Sequence, residues 1–203
     1  MPKIVDHDLY RKELLSKCFT LFAQKGYAAL TMRQIAQDLG VSTGTLYHYF
    51  PSKEALFEQL VEEQLQQTIL QITDEIDPNQ SPIERLFTAL EFILSKADCH
   101  SQRALIWIEF YQQQGAEKIH QSKTAAKAWQ KGARALAEVV GISDPKLYTF
   151  LICWLDGLFI NRLFDPELIC LQEQLKFLKM MLQEYWYRNN GEESCLESSY
   201  ISA

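Results

Sequence analysis

Four polar residues, Thr43, Gly44, Tyr47 and His48, recur at i, i+1, i+4 and i+5, which places them on one face of any helix that contains them. The opposite phase is apolar, with Leu46, Tyr49 and Phe50 at spacings of three and four. Short hydroxyls at Ser42, Thr43 and Thr45 gather where that helix would begin. A helix start leaves backbone amides unpaired, so this end suits phosphate. Tyr47 offers a ring to thymine methyls and a hydroxyl to phosphate, and Lys53 adds a charge a few residues later. The chemistry that fits is recognition of duplex DNA with the polar face in the major groove. The plain alternative is a compact three-helix pack that turns its polar residues to solvent.

Other residues invite metal or redox chemistry. Glu117 and His120 have the i, i+3 spacing of a di-iron ligand pair, but the chain has no second such pair and its neighbours are polar, so no metal is expected. Cys99-His100 is predicted to sit in a turn, where a thiol could sense oxidation or a metal; an inert surface thiol is the simpler reading. The five cysteines are scattered, odd in number and without a C-x-x-C pair, which suits a reducing compartment. No cofactor is expected.

Helical periodicity runs almost end to end, and the spacing predicts an all-α chain of nine helices. They cover about 8–25, 32–39, 43–49, 52–76, 82–97, 102–113, 116–140, 145–163 and a last one running from Asp165-Pro166 to about Arg188. Gly26, Gly115 and Gly141 are the stops, and Ser52, Ser81-Pro82-Ile83-Glu84 and Asp144-Pro145 the starts. Asp98 to Ser101 reads as a turn. The tail from Asn189 to Ala203 reads as frayed. Within 32–51 each slot of a helix-turn-helix is filled: Ile35 and Leu39 face inward, Ala36 lies at the helix crossing, Gly40 sits where the turn needs positive φ, and Val41 plugs the turn.

The runs Phe22-Ala23-Gln24-Lys25-Gly26-Tyr27, Leu30-Thr31-Met32-Arg33-Gln34-Ile35-Ala36 and Gly40 through Leu56 resemble the N-terminal domain of the tetracycline-repressor (TetR) family. The resemblance covers about a quarter of the chain. It implies a homodimer with a three-helix DNA-binding head, residues 1–57, and a larger helical body, 58–188, that dimerises and binds a small effector of unknown identity. By position, Thr31 resembles the family's phosphate-contacting hydroxyl and Arg33 a residue that in some members reaches a guanine edge. Thr43, Thr45 and Tyr47, with Gly44 beside them, match groove-facing positions. Ser42, His48 and Lys53 look like backbone anchors. Tyr49 is ambiguous between a phosphate contact and an inward residue. A double-stranded, palindromic operator is the implied partner.

The body has no equally sharp motif. Consecutive packing of the sixth, seventh and eighth helices would bring Trp107, Phe110, Tyr111, Trp129 and Cys153 around an effector pocket, although aromatic stripes at helical spacing usually just pack. Broad apolar faces on the last two helices, Leu151, Trp154, Leu155 and Leu158 on one and Leu175, Leu178 and Leu182 on the other, predict a four-helix dimer interface. The Asp156-Gly157 step resembles a recurrent family pattern there. Glu109 and Asp156 interrupt apolar helices and need partners, in the core, the dimer or a ligand.

The formal net charge of the 203 residues is −6, but residues 1–57 hold seven Lys/Arg against five acids, a net of +2, and the rest sums to −8. Any phosphate-binding surface therefore belongs to the N-terminal part. With no uninterrupted apolar run approaching the ~20 residues of a bilayer span and no signal-peptide pattern, a cytoplasmic protein without membrane contact is expected. The reading is a homodimeric repressor released by a small molecule. The alternatives are a DNA-binding regulator answering to a protein or a thiol change, and a helical-bundle metal protein.

Overall fold

Strong caps define most helix ends. The computed structural model describes residues 6–115, 123–167 and 169–190, the side chains of residues 123–129, 131, 189 and 190 excepted. Among the described residues there are nine helices and no strand: α1 His7–Lys25, α2 Met32–Asp38, α3 Thr43–Tyr49, α4 Lys53–Glu75, α5 Pro82–Ser95, α6 Ala97–Gln114, α7 Lys123–Val140, α8 Pro145–Phe164 and α9 Leu171–Asn190. Asp6 accepts from the amides of Asp8 and Leu9 to start α1, and Ser52 accepts from Ala55 N to start α4. Ahead of α5 the Glu84 carboxylate takes both the amide and the hydroxyl of Ser81. The expected extent of the tail beyond Asn190, and the Glu117 and His120 pair, lie outside the described residues.

Two boundaries differ from expectation. Asp98 to Ser101 is helix rather than turn, and only Lys96 separates α5 from α6. Tertiary contacts override the weak helix preference of these polar residues: Asp98 pairs with Arg162 at 2.9 Å, the His100 ring stacks on Phe159 at 4.9 Å, and Ser101 Oγ donates to Phe159 O. Asp165-Pro166 starts no helix. The Asp165 carboxylate accepts from Glu167 N and closes a local turn, and α9 begins at Leu171.

Two apolar clusters hold the chain together. The first joins α1, α2, α3 and the first half of α4, and it recruits Ile106 and Phe110 of α6. The second joins the end of α4 with α5, Ala97 at the start of α6, α7, α8 and α9. Thus α4 and α6 belong to both, and they form the joint between the N-terminal head and the body.

The dimer expectation needs correction at its central residues. Leu151, Leu158, Leu178 and Leu182 are buried within the single chain, and Trp154, Leu155 and Leu175 pack against the same cluster. The stripe that periodicity picked out is each helix's inward face, which α5 and the neighbouring helices already cover. The outward faces carry Phe150, Ile160 and Phe164 on α8 and Phe177, Met180 and Met181 on α9. The membrane expectation is also altered, because α8 is long and apolar enough to cross a bilayer by length and composition, at a mean hydropathy of 1.3. A search for an uninterrupted run misses it, since Asp156 and Arg162 break the stretch.

Candidate nucleic-acid interface

The head presents α3 to solvent by burying everything on its other side. Ile35 and Ala36 of α2 and Leu46 and Phe50 at α3 are essentially inaccessible, so the two short helices cross on small and branched side chains. Gly40 holds φ +68° between them with nothing near a would-be Cβ; the position asks for glycine through its backbone, and space plays no part. The next residue turns back, Val41 N donating to Ala36 O at 2.9 Å.

On the outer side Gly44, Tyr47 and His48 are exposed, with Tyr47 at 49% despite its size, and Thr43 is half-buried beside them. Half of the Tyr47 ring thus stays open to solvent on a seven-residue helix, in reach of a ligand along that face. Arg33 projects from the start of α2. Lys12, Lys17 and Lys25 are each engaged by a carboxylate, and Arg11 by Asp8 and Gln59. Among the described residues of the head, Arg33 is the cation left without such a partner.

Several predicted contacts already have structural work. Thr31 caps α2, its Oγ1 accepting from Gln34 N at 3.3 Å and donating to Gln34 Oε1. Ser42 caps α3 by accepting from Thr45 N at 2.9 Å, and the two hydroxyls share a 2.8 Å hydrogen bond. A hydroxyl keeps further lone-pair capacity, so capping and phosphate contact are compatible. Tyr49 resolves toward α1: its hydroxyl shares a 2.8 Å hydrogen bond with His7 Nδ1 and its ring lies 5.6 Å from Tyr10. His7 also meets the His48 ring edge-on at 6.2 Å. Sequence periodicity offered no sign of His7, because the contact spans 42 positions and belongs to no local pattern.

Lys53 is a correction. Its ammonium does not face the α3 surface but turns inward, donating to Tyr27 O at 3.1 Å, Leu30 O at 2.9 Å and Gln113 Oε1 at 3.0 Å, and lying 4.2 Å over the Tyr27 ring. Burial pulls its pKa below the ordinary lysine value. A lysine at the start of a helix is close to both the loop before it and the surface beyond it, and here the free carbonyls of the α1–α2 loop win. Lys53→Ala is therefore expected to lower stability by about 1.5 to 3 kcal/mol, the scale of hydrogen bonds to a charged group, while the salt dependence of DNA binding keeps its slope. Thermal melts and gel shifts across a salt series check both.

The proposed pocket residues do not converge. Phe110 is 5% exposed and stacks on Phe57 at 4.3 Å inside the first cluster, with Tyr27 at 5.3 Å. Trp107 packs on Phe57 at 5.2 Å, Tyr111 stacks on Trp107 at 5.6 Å with 41% of its surface exposed, and Cys153 is exposed on α8. The Trp129 side chain lies outside the described residues. The reason is rotational: α6 turns its aromatic face to the head and α4, whereas consecutive-helix packing had assumed it faced α7. Glu109 belongs to the same joint, accepting from Ala28 N at 3.2 Å, and its carboxylate lies so close to Gly26 that a Cβ there would meet it at 2.9 Å. Gln114 donates to Glu54. Asp156 stands on the outer face of α8 with no ion pair in the described residues, and desolvation holds its carboxyl above the usual range. Among the described residues no cluster of three or more metal-ligating side chains occurs.

Residues 14–60 match the family described as "Bacterial regulatory proteins, tetR family". The head carries the TetR-family DNA-binding domain. Its α2–α3 pair is the helix-turn-helix of that family, and its relatives are transcriptional regulators rather than enzymes. The transcriptional repressor KstR2 of Mycobacterium tuberculosis (strain CDC 1551 / Oshkosh) is 38% identical over 76 residues, 37% of this chain and 38% of that protein. The alignment thus spans well under half the length of that curated relative. The transcriptional regulator BetI of Vibrio atlanticus (strain LGP32) is 27% identical over 161 residues, 78% of this chain and 72% of that protein. Among solved structures, the transcriptional regulator FadR of Bacillus subtilis in complex with stearoyl-CoA superposes with a TM-score of 0.63 at 19% identity, covering 85% of this chain and 97% of that one. This last likeness shows that the chain shares that all-α fold along most of its length.

Proposed function

We propose that the chain is a sequence-specific DNA-binding transcriptional regulator, acting in the cytoplasm as a homodimeric repressor on a palindromic operator, with residues 1–57 as its head and 58–188 as its effector-binding and dimerising body. The observation that carries this reading is the outward face of α3, where Thr43, Gly44, Tyr47 and His48 stand together beside an unpaired Arg33 in a TetR-family head. Selection of bound duplexes from a random library by the purified chain tests it. Enrichment of a two-half-site sequence supports the reading, and recovery of unenriched DNA refutes it.

Dimerisation is supported by the outer faces of α8 and α9, where Phe150, Ile160, Phe164, Phe177, Met180 and Met181 are exposed, the kind of apolar surface that a partner helix pair would cover. Gly157 on α8 has nothing within 4 Å of a would-be Cβ, leaving room for close helix approach. Phe177→Glu is expected to give folded monomer in sedimentation experiments, whereas Leu178→Glu, at a position 0% exposed, is expected to give misfolded protein.

Release by a small molecule rests on linkage: an effector acts only through different affinities for the DNA-competent and incompetent states. The C-terminal half of α6 is suited to transmit it, because Glu109, Gln113 and Gln114 each hydrogen-bond the head. A shift of α6 therefore displaces the α1–α2 loop and the start of α4 together.

A further inference from the structure

The hydrogen bond between His7 and Tyr49 ties the start of α1 to the end of α3, beside the surface proposed for DNA. Tyr49 is half-buried, His7 is exposed, and the 2.8 Å bond joins the tyrosine hydroxyl to Nδ1 of the imidazole. His48, on the outward face of α3, meets the His7 ring edge-on at 6.2 Å and the Tyr49 ring at 5.1 Å. The polar face of α3 thus continues through His48 onto the first residue of α1, where none of the described residues hydrogen-bonds His7 Nε2. The titratable groups around His7 are Tyr49 and His48 on α3, Tyr10 on its own helix, whose ring lies 5.6 Å from Tyr49, and the flanking acids Asp6 and Asp8. Asp6 is occupied by the amides of Asp8 and Leu9, and Asp8 pairs with Arg11 at 3.7 Å.

A tyrosine hydroxyl has one proton to donate, and a neutral imidazole can take it at Nδ1. Tyr49 then offers an approaching phosphate lone pairs only. A neutral ring can instead present Nδ1–H, but only the imidazolium is a donor at both nitrogens at once. In the cation Nδ1–H donates to the Tyr49 oxygen, the hydroxyl proton becomes available to a third group, and Nε2–H stands as a second donor. We propose that His7 is a further phosphate-binding residue of the interface, gripping the operator backbone together with the Tyr49 hydroxyl once its imidazole has taken up a proton. A phosphodiester beside the ring favours that uptake, and hydrogen bonds from a cation to phosphate exceed neutral ones. Histidine is the side chain whose charge changes between pH 5 and 8, so the grip belongs to the acid end of that interval. Because the DNA-bound form holds more protons than the free form, operator affinity falls as pH rises. His100 does not contribute, since burial and the neighbouring Arg103 charge push it down to about 3 and leave it neutral throughout. This role of His7 rests on the reading of the α3 face as a DNA surface.

Affinity of the full chain for the duplex selected from the random library, measured at constant ionic strength from about pH 5.5 to about pH 8, tests the proposal. The wild type is expected to bind about tenfold more tightly at the acid end, with a salt slope steeper there by about one for each half-site. His7→Gln, whose amide can still meet the Tyr49 hydroxyl, should lose most of that ratio while melting like the wild type at both ends of the range. His48→Gln should keep the larger part of it. Tyr49→Phe should keep the change in salt slope, which comes from the charge, and lose part of the tenfold ratio. A flat wild-type profile, a ratio that survives His7→Gln, one that vanishes in His48→Gln, or one left whole by Tyr49→Phe would each overturn the proposal. Failure of the wild type to retain any duplex at any pH would instead overturn the DNA-binding reading, so the two failures are told apart.

Discussion

Phe110→Ala is expected to destabilise the whole chain by about 3 to 5 kcal/mol, the cost of emptying a buried aromatic site, and to lower the melting temperature by about 6 to 20 °C. Phe110 is the residue at which head and body share one core: it stacks on Phe57 at 4.3 Å, meets Tyr27 edge-on at 5.3 Å and lies 6.1 Å from Trp107. Removing it leaves a cavity that neither unit can close alone, since Tyr27 and Phe57 are both held by ring contacts to Phe22. The neighbouring Tyr111→Ala supplies the control, because its ring is 41% exposed and its loss should cost far less. Equal melts for the two variants would show that the joint is not the packed core described above. The same substitution should also weaken operator binding, because Lys53, Glu109 and Gln114 tie the head to the helix that Phe110 seats.

The second large effect is confined to DNA. Tyr47→Ala is expected to reduce affinity for the selected operator by about 5- to 150-fold, the equivalent of roughly 1 to 3 kcal/mol for one good contact, with the melting temperature nearly unchanged. The small stability effect follows from the half-exposed position of Tyr47, which has no hydrogen bond or ring contact to lose among the described residues. Arg33→Ala distinguishes two modes of contact. If Arg33 reads a guanine edge, one operator position loses discrimination; if it holds phosphate, every sequence weakens alike and the salt slope falls by about one. Wild-type affinity in both variants would remove the α2–α3 face from the interface.

The comparison of Tyr47 with Lys53 shows where reading by position ceases to work. Both occupy places that the family resemblance assigns to DNA, yet one ring stands in solvent and the other side chain bends back onto two carbonyls and a glutamine of α6. Tyr47 sits mid-helix, where backbone geometry alone sets the direction of the side chain. Lys53 sits at a helix start on a long flexible stem, and its direction depends on which acceptors the rest of the chain brings near.

What the sequence determined by itself is therefore local. Starts at Ser52 and Ser81, the positive-φ glycine at 40, the buried Ile35, Ala36 and Leu46, and the polar face of α3 all follow from interactions within a few residues, and all appear as read. The tertiary structure decided which apolar stripe faces what. Periodicity locates a buried stripe such as Leu151, Leu158 and Leu178 but carries no information on whether the covering surface belongs to the same chain or to a partner; only the packing of α5 against α9 assigns it to the core. The rotation of α6, which sends Phe110 to the head, has the same origin. An amphipathic pattern fixes an angle relative to the helix axis, and the angle relative to the neighbours is set by contacts between residues far apart in the chain.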